Sequence, residues 1–363
     1  MRKTAVYKNA LFLDHQTGRE HLESADRLRG IYRELERADV AARLVFPVFK
    51  KATAAAIHLN HTPELVKEIA ATAAYPASFL DADTRTSADS FEAALLAAGA
   101  VIDGIKRLFR GEIDNGFCLV RPPGHHAERN QAMGFCLFNN LAVGAKWAIR
   151  HLGIDRIMIV DWDLHHGNGT QNSFYRNNKV LYCSTHQYPL YPGSGALPES
   201  GAGQGLGYTV NVPLVGGHGD EEYARIFNEL YTPLVRAYRP RLILVSCGFD
   251  IMAGDPMGSM KVTPAGVAYM TRVLVEIAEE FCDGKVLFTL EGGYDLDNIR
   301  NGALAVLTEL HGAPLADDYP IYLQAKEIDR LRSTKVDSAS FDQAMHRAKN
   351  WRNTANDREY QGL

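Results

Sequence analysis

Three short motifs together carry more information about chemistry than the rest of the chain: Gly124-His125-His126, Asp161-Trp162-Asp163-Leu164-His165-His166 and Gly248-Phe249-Asp250. Each follows an apolar run that reads as a buried strand: Phe117-Cys118-Leu119-Val120, Ile157-Met158-Ile159-Val160 and Leu242-Ile243-Leu244-Val245. Side chains alternate faces along extended backbone, so Asp163 and His165, two apart, point the same way. One imidazole and two carboxylates, with Asp250 arriving from another strand end, leave a divalent metal an open position for water. His125 and His126 stand beside them as an acid and a base. This is the equipment of metal-assisted hydrolysis.

The elements that must position these groups alternate regularly. Strand candidates at 117–120, 157–161, 180–184, 208–212, 241–247 and 286–291 are mostly separated by helical patterns. That alternation predicts an α/β fold of three layers, with a central, mainly parallel sheet covered on both faces by helices. In the helix predicted over 90–110, Phe91, Leu95, Ala98, Ile102, Ile105 and Phe109 repeat at threes and fours, with Ser90 as N-cap. Asp220-Glu221-Glu222 opens a second helix with carboxylates where the dipole favours them, and Thr263-Pro264 opens a third. Taken singly, His125-His126 reads as a structural pair and Asp163 and His165 as caps of a turn. Their joint placement favours function, because ligands of open parallel sheets gather outside the carboxyl ends of strands. Buried charges collected there without a partner are also costly. The loop Tyr188–Gly207 carries Gly201, Gly203, Gly205 and Gly207 but precedes a strand, so the dinucleotide fingerprint fails and a wall of the active site is expected. Residues 1–313 read as the catalytic domain. The polar extension 314–363, with a helix expected over 338–352, packs on the body or at a subunit contact.

Composition removes several classes of function. The 363 residues are 46% hydrophobic and 23% charged, with a formal net charge of −4. There is no electrostatic footprint for nucleic acid or an anionic membrane. No apolar stretch approaches the length of a bilayer span, and the N-terminus lacks the apolar core of a signal peptide. Five cysteines, at 118, 136, 183, 247 and 282, are scattered mostly inside apolar runs and form no CxxC zinc spacing. They suit buried thiols in a reducing cytoplasm.

Four longer motifs carry a family resemblance: Arg121-Pro122-Pro123-Gly124-His125-His126-Ala127, Gly134-Phe135-Cys136-Leu137-Phe138-Asn139-Asn140, Asp161 through Gln171, and Leu290-Glu291-Gly292-Gly293-Tyr294. Over roughly residues 10 to 312 the chain resembles the zinc-dependent histone deacetylase superfamily, which also contains acetylpolyamine amidohydrolases and acetoin-utilisation proteins. The Asp-Trp-Asp and Asn-Gly-Thr-Gln details resemble its class II branch and bacterial relatives. The resemblance implies an arginase-like α/β/α fold and a single Zn²⁺ on Asp163, His165 and Asp250. Oxygen-rich ligation also admits Fe²⁺ or Co²⁺.

By the roles this resemblance implies, zinc and His126 activate water toward an acetamide carbonyl, and Tyr294 donates a hydrogen bond to the oxyanion. His125 pairs with Asp161 and is favoured charged; His126 pairs with neutral Asn168 and stays available as base. Gly134, Phe135 and Tyr191 match the acyl-lysine tunnel, and Asp83 matches a rim residue that binds substrate backbone. Ser184, with the backbone around Asp161, Asp163 and His165, matches a structural K⁺ site, and Arg27 an arginine near the internal product channel. Met257 falls where polyamine-selective relatives can place a Glu. The expected substrate is therefore an acetyl-lysine peptide or small acetylated amine of that kind, with acetylpolyamine second. A homo-oligomer is compatible with the sequence, and a scaffold that kept the fold without catalysis is the rival of a different class.

Overall fold

A computed structural model describes residues 1–335 and Asp342. Nine strands occur among them: β1 (Thr4–Tyr7), β2 (Ser78–Phe79), β3 (Arg85–Thr86), β4 (Asn115–Cys118), β5 (Ile157–Asp161), β6 (Val180–Gln187), β7 (Thr209–Leu214), β8 (Leu242–Cys247) and β9 (Val286–Leu290). Seven form one sheet in the order β1-β4-β9-β8-β5-β6-β7, every neighbouring pair parallel; β2 and β3 make a small antiparallel ribbon. Strands covered on both faces need apolar side chains in both directions, and Ile157–Val160 and Leu242–Val245 are accordingly continuous and fully buried. The helices Ser90–Phe109 and Asn140–Leu152 pack together over the sheet, as do Pro264–Phe281 and Leu296–His311, with Asp26–Leu35 against the last.

The chain builds β5, β6 and β7 outward, then returns to place β8 on the other side of β5. The resulting switch point lies between β5 and β8, where Asp161 stands opposite Ser246. At such a point the connections leave in opposite directions and open a crevice at the carboxyl ends.

Several elements differ from their sequence reading. The edge strand β1 has no counterpart among the sequence candidates; four residues are too short for a periodic signal, and pairing with β4 in the register Thr4–Asn115 is what extends them. Ser90 is not an N-cap. It is the first helical residue, and its hydroxyl accepts from the Ser87 N–H at 2.7 Å and meets His15 Nδ1 at 2.6 Å. The helices at Asp220 and Pro264 begin where expected, with Thr263 capping the second. Residues beyond 313 add buried Leu315, Ala316, Leu323 and Leu331 to the main core, the last from a helix Ala325–Ser333. The helix expected over 338–352 lies, Asp342 apart, outside the described residues.

Candidate active site

Four parallel strand ends deliver the polar groups. His125 and His126 come from the segment after β4, Asp161, Asp163 and His165 from the end of β5, Asp250 from beyond β8, and Glu291 and Tyr294 from beyond β9. Ligand atoms of Asp163, His165 and Asp250 all lie within 4.8 Å of one another, and the three residues are buried. His165 Nδ1 is 3.3 Å from Asp163 Oδ1 and 3.2 Å from Asp250 Oδ2. One ring nitrogen cannot donate to both, and Asp250 Oδ2 remains a buried oxygen without a hydrogen bond. Three donors converging on a point in this way fit a divalent cation better than they fit one another. Burial and then Asp163 push the Asp250 carboxyl up to about 7. Burial opposes ionisation of Asp163 too, but His125 and then His165 outweigh it and hold that carboxyl low. Backbone closes in without side chains: a Cβ on Gly292 would sit 2.2 Å from Asp250 Oδ2, and the Gly292 N–H donates to Asp163 Oδ2 at 2.7 Å.

The two imidazoles beside this cluster have different partners. His125 Nδ1 lies 3.2 Å from Asp161 Oδ2 and its Nε2 3.7 Å from Asp163 Oδ1. Burial lowers its pKa, but Asp163 and then Asp161 reverse the effect and push it up to about 10. His126 Nδ1 meets Asn168 Oδ1 at 2.8 Å, and burial, then His125 and His165, drive its pKa well below the usual value.

Around the pair, Gly134 adopts φ +54°, and a Cβ there would meet His126 Cδ2 at 2.5 Å and Tyr191 Oη at 2.9 Å. Only glycine suits both the left-handed backbone and that gap. Tyr191 stands edge-on to His126 at 5.0 Å, and Phe135 stands edge-on to Tyr294 at 5.9 Å. The Tyr294 ring also lies under the Arg27 guanidinium at 5.0 Å, and its hydroxyl has no hydrogen-bond partner among the described residues. Arg27 is fully buried, donating from Nε to the Gly293 carbonyl at 2.6 Å and from Nη1 to Glu23 at 2.9 Å. Asp83 is half-buried beside Thr84, whose hydroxyl accepts from the Phe135 N–H at 3.1 Å; burial and then Asp81 raise the Asp83 carboxyl. Met257 is half-buried against the main core. Ser184 pairs in register with Asp161, and its hydroxyl meets His186 Nδ1 at 2.9 Å.

The Tyr188–Gly207 loop divides into two parts. Gly201–Gly207 folds against Tyr175, whose carbonyl accepts from the Ala202 N–H at 2.7 Å, so only the first part of that loop, with Tyr191, reaches the histidines. Several groups had no role in the sequence reading. Glu291 accepts from the Gly124 and His125 N–H groups at 2.6 and 3.1 Å, and burial pushes it up to about 7. Asp255 accepts from the Tyr294 and Met257 N–H groups at 2.7 and 3.0 Å, tying two loops together. Tyr182 donates to Asp161 Oδ2 at 3.0 Å, and Glu23 joins Arg121 to Arg27. Glu291 carried the same signal as Asp161, a carboxylate at the end of an apolar strand.

The chain as a whole is similar to known proteins. A family model described as the histone deacetylase domain matches residues 21–310. The chain belongs to the histone deacetylase family. It is 43% identical over 306 residues to "Histone deacetylase 15" of Arabidopsis thaliana, an alignment covering 83% of this chain and 54% of that protein. It is 39% identical over 296 residues to a "Probable deacetylase" of Archaeoglobus fulgidus, covering 81% and 82% of the two chains. The crystal structure of the HDA15 HD domain superposes with a TM-score of 0.86 at 37% identity, over 100% of this chain and 99% of that one. The alignments thus span about half of the plant deacetylase and most of the archaeal one. As in the histone deacetylase fold, the central sheet is parallel and flanked by helices. Among the described residues, no helix is long and apolar enough to cross a membrane.

Proposed function

We propose that this chain is a zinc-dependent deacetylase that hydrolyses the acetyl amide of an acetyl-lysine-like side chain. The observation that carries the reading is the convergence of Asp163, His165 and Asp250 beside two imidazoles of opposite charge preference. Zn²⁺, which the three residues would hold, supplies Lewis acidity to an amide carbonyl and to water. His126 has its Nδ1 against Asn168 and takes the proton of the attacking water at Nε2. The water oxygen bonds to the acyl carbon, the C–N bond breaks, and the proton passes from His126 to the amine nitrogen, leaving acetate and a free amine. His125 stays protonated between Asp161 and Asp163 and stabilises the developing negative charge. The Tyr294 hydroxyl donates to the oxyanion.

Phe135, Tyr191 and Gly134 provide a narrow, largely aromatic approach suited to an aliphatic stem, with Asp83 at the rim. Met257, in the loop after Asp250, cannot pair with the distant ammonium of a polyamine, which favours a lysine-type substrate. Asp161, Asp163, His165 and Ser184 are the proposed surroundings of a structural K⁺. Arg27 borders an internal route for product, and residues 314–363 form an extension of the catalytic domain. Five buried free cysteines accord with a reducing, cytoplasmic setting.

The test is acetate release from an acetyl-lysine peptide, stopped by a chelator and restored by Zn²⁺ or by Fe²⁺, beside acetylputrescine, acetylspermidine and longer acyl-lysines. Chelator-sensitive acetate release, fastest from the lysine peptide, is expected. No acetate from any of them would leave a binding scaffold, and strong preference for acetylspermidine would reassign the substrate.

A further inference from the structure

An amide is an ambiguous partner for an imidazole, because its two ends offer opposite hydrogen-bonding roles. With its oxygen toward His126 Nδ1, Asn168 selects the tautomer that carries its proton on Nδ1 and leaves Nε2 open. Turned over, it would offer an N–H to Nδ1 and put the proton on Nε2, where a base must be empty. The structure holds a group that removes the choice. Asn168 Nδ2 donates to Glu128 Oε1 at 2.6 Å and, more weakly, to the His126 carbonyl at 3.2 Å. Glu128 as a carboxylate only accepts, so the turned-over amide would press oxygen against oxygen with no proton between them.

Glu128 is itself held. Asn172, one turn along the helix Asn168–Phe174, donates to the same Oε1 at 2.8 Å. The Glu128 carbonyl meets His61 Nδ1 at 2.9 Å, and its N–H donates to the Gln131 carbonyl at 2.9 Å. An anionic acceptor on the amide nitrogen also shifts electron density toward Oδ1 and strengthens its bond to Nδ1–H. We infer that Glu128 is a positioning residue, the last member of an imidazole–amide–carboxylate chain that fixes the His126 tautomer. Its kinetic consequence rests on the deacetylase reading; its effect on the ring does not.

Two measurements on the full chain decide it. In the first, Glu128→Ala lowers kcat on an acetyl-lysine peptide about tenfold, the lower end for losing a partner behind a functional histidine. KM and bound metal stay near native, and Glu128→Gln, which keeps an acceptor but no charge, falls between. In an Asn168→Asp background the tautomer needs no orienting group, because a carboxylate accepts at either oxygen. There Glu128 is a like charge in contact, so Glu128→Ala leaves kcat unchanged or raises it. In the second, ¹⁵N shifts of the His126 ring report the Nδ1–H tautomer in the native chain and a mixture in Glu128→Ala. An equal loss of kcat in both backgrounds, no loss in either, or unchanged ring shifts in Glu128→Ala would overturn the inference. If the native chain releases no acetate, the deacetylase reading fails while the ring shifts still decide the role of Glu128.

Discussion

The rings of His125 and His126 are centred 4.0 Å apart, yet their surroundings drive them to opposite charge states. Burial weakens the charged form of both. At His125 the carboxylates of Asp163 and Asp161 overcome that penalty, whereas at His126 the neighbouring His125 and His165 add to it. Two consecutive residues thereby become one fixed charge and one open lone pair.

The division predicts unequal single variants. His126→Ala removes the base and abolishes turnover more completely than His125→Ala, which removes only electrostatic support. Steady-state kinetics on an acetyl-lysine peptide reads the difference, and comparable residual rates in both variants would refute the assignment.

Removing either anionic donor should release the ion. Asp163→Ala and Asp250→Ala each leave two of three donors, and both variants are expected to lose bound metal together with activity. Elemental analysis of the purified variants checks this; full occupancy in both would place the metal elsewhere.

Tyr294→Phe removes one hydroxyl and leaves the ring between Arg27 and Phe135. Turnover should drop about a hundredfold, the scale of losing one oxyanion donor, at normal metal content. Wild-type turnover in this variant would exclude the hydroxyl from the reaction.

His61 supplies a pH-dependent contribution to stability. Burial, with Lys146 acting in the same direction, lowers it from 6.5 to about 4 despite the opposing Glu128 carbonyl, and its Nε2 accepts from the Asn139 N–H at 2.9 Å. The folded state thus favours the neutral ring. Its contribution is complete above the unfolded pKa and is lost as pH falls from about 6.5 toward 4. The melting temperature should decline across that interval, and more shallowly in His61→Gln. An unchanged slope in the variant would show that other groups govern the acid limb.

Sequence alone determined a good deal about this protein. Continuous apolar runs ending in Asp161, Gly248 and Glu291, short and alternating with helical patterns, announced buried parallel strands with polar groups at one end, since a strand covered on both faces needs apolar side chains in both directions. The two-residue spacing of Asp163 and His165 placed both on one side, and the motifs around them carried the family. Tertiary structure decided which groups meet. The Gly292 N–H reaches Asp163 across 129 residues of chain, and Glu23, Glu291 and Asp255 meet Arg121, Gly124 and Tyr294 across 98, 167 and 39 residues. No local pattern encodes strand order, so neither the pairing of β5 with β8 nor the edge strand β1 was legible, although the resemblance had already joined Asp163 to Asp250. The charge preferences of the two histidines followed from the family resemblance, but the groups that impose them follow only from the tertiary structure. Those preferences are set by the summed field of groups delivered from several strand ends, and that sum exists only once the sheet has closed around them.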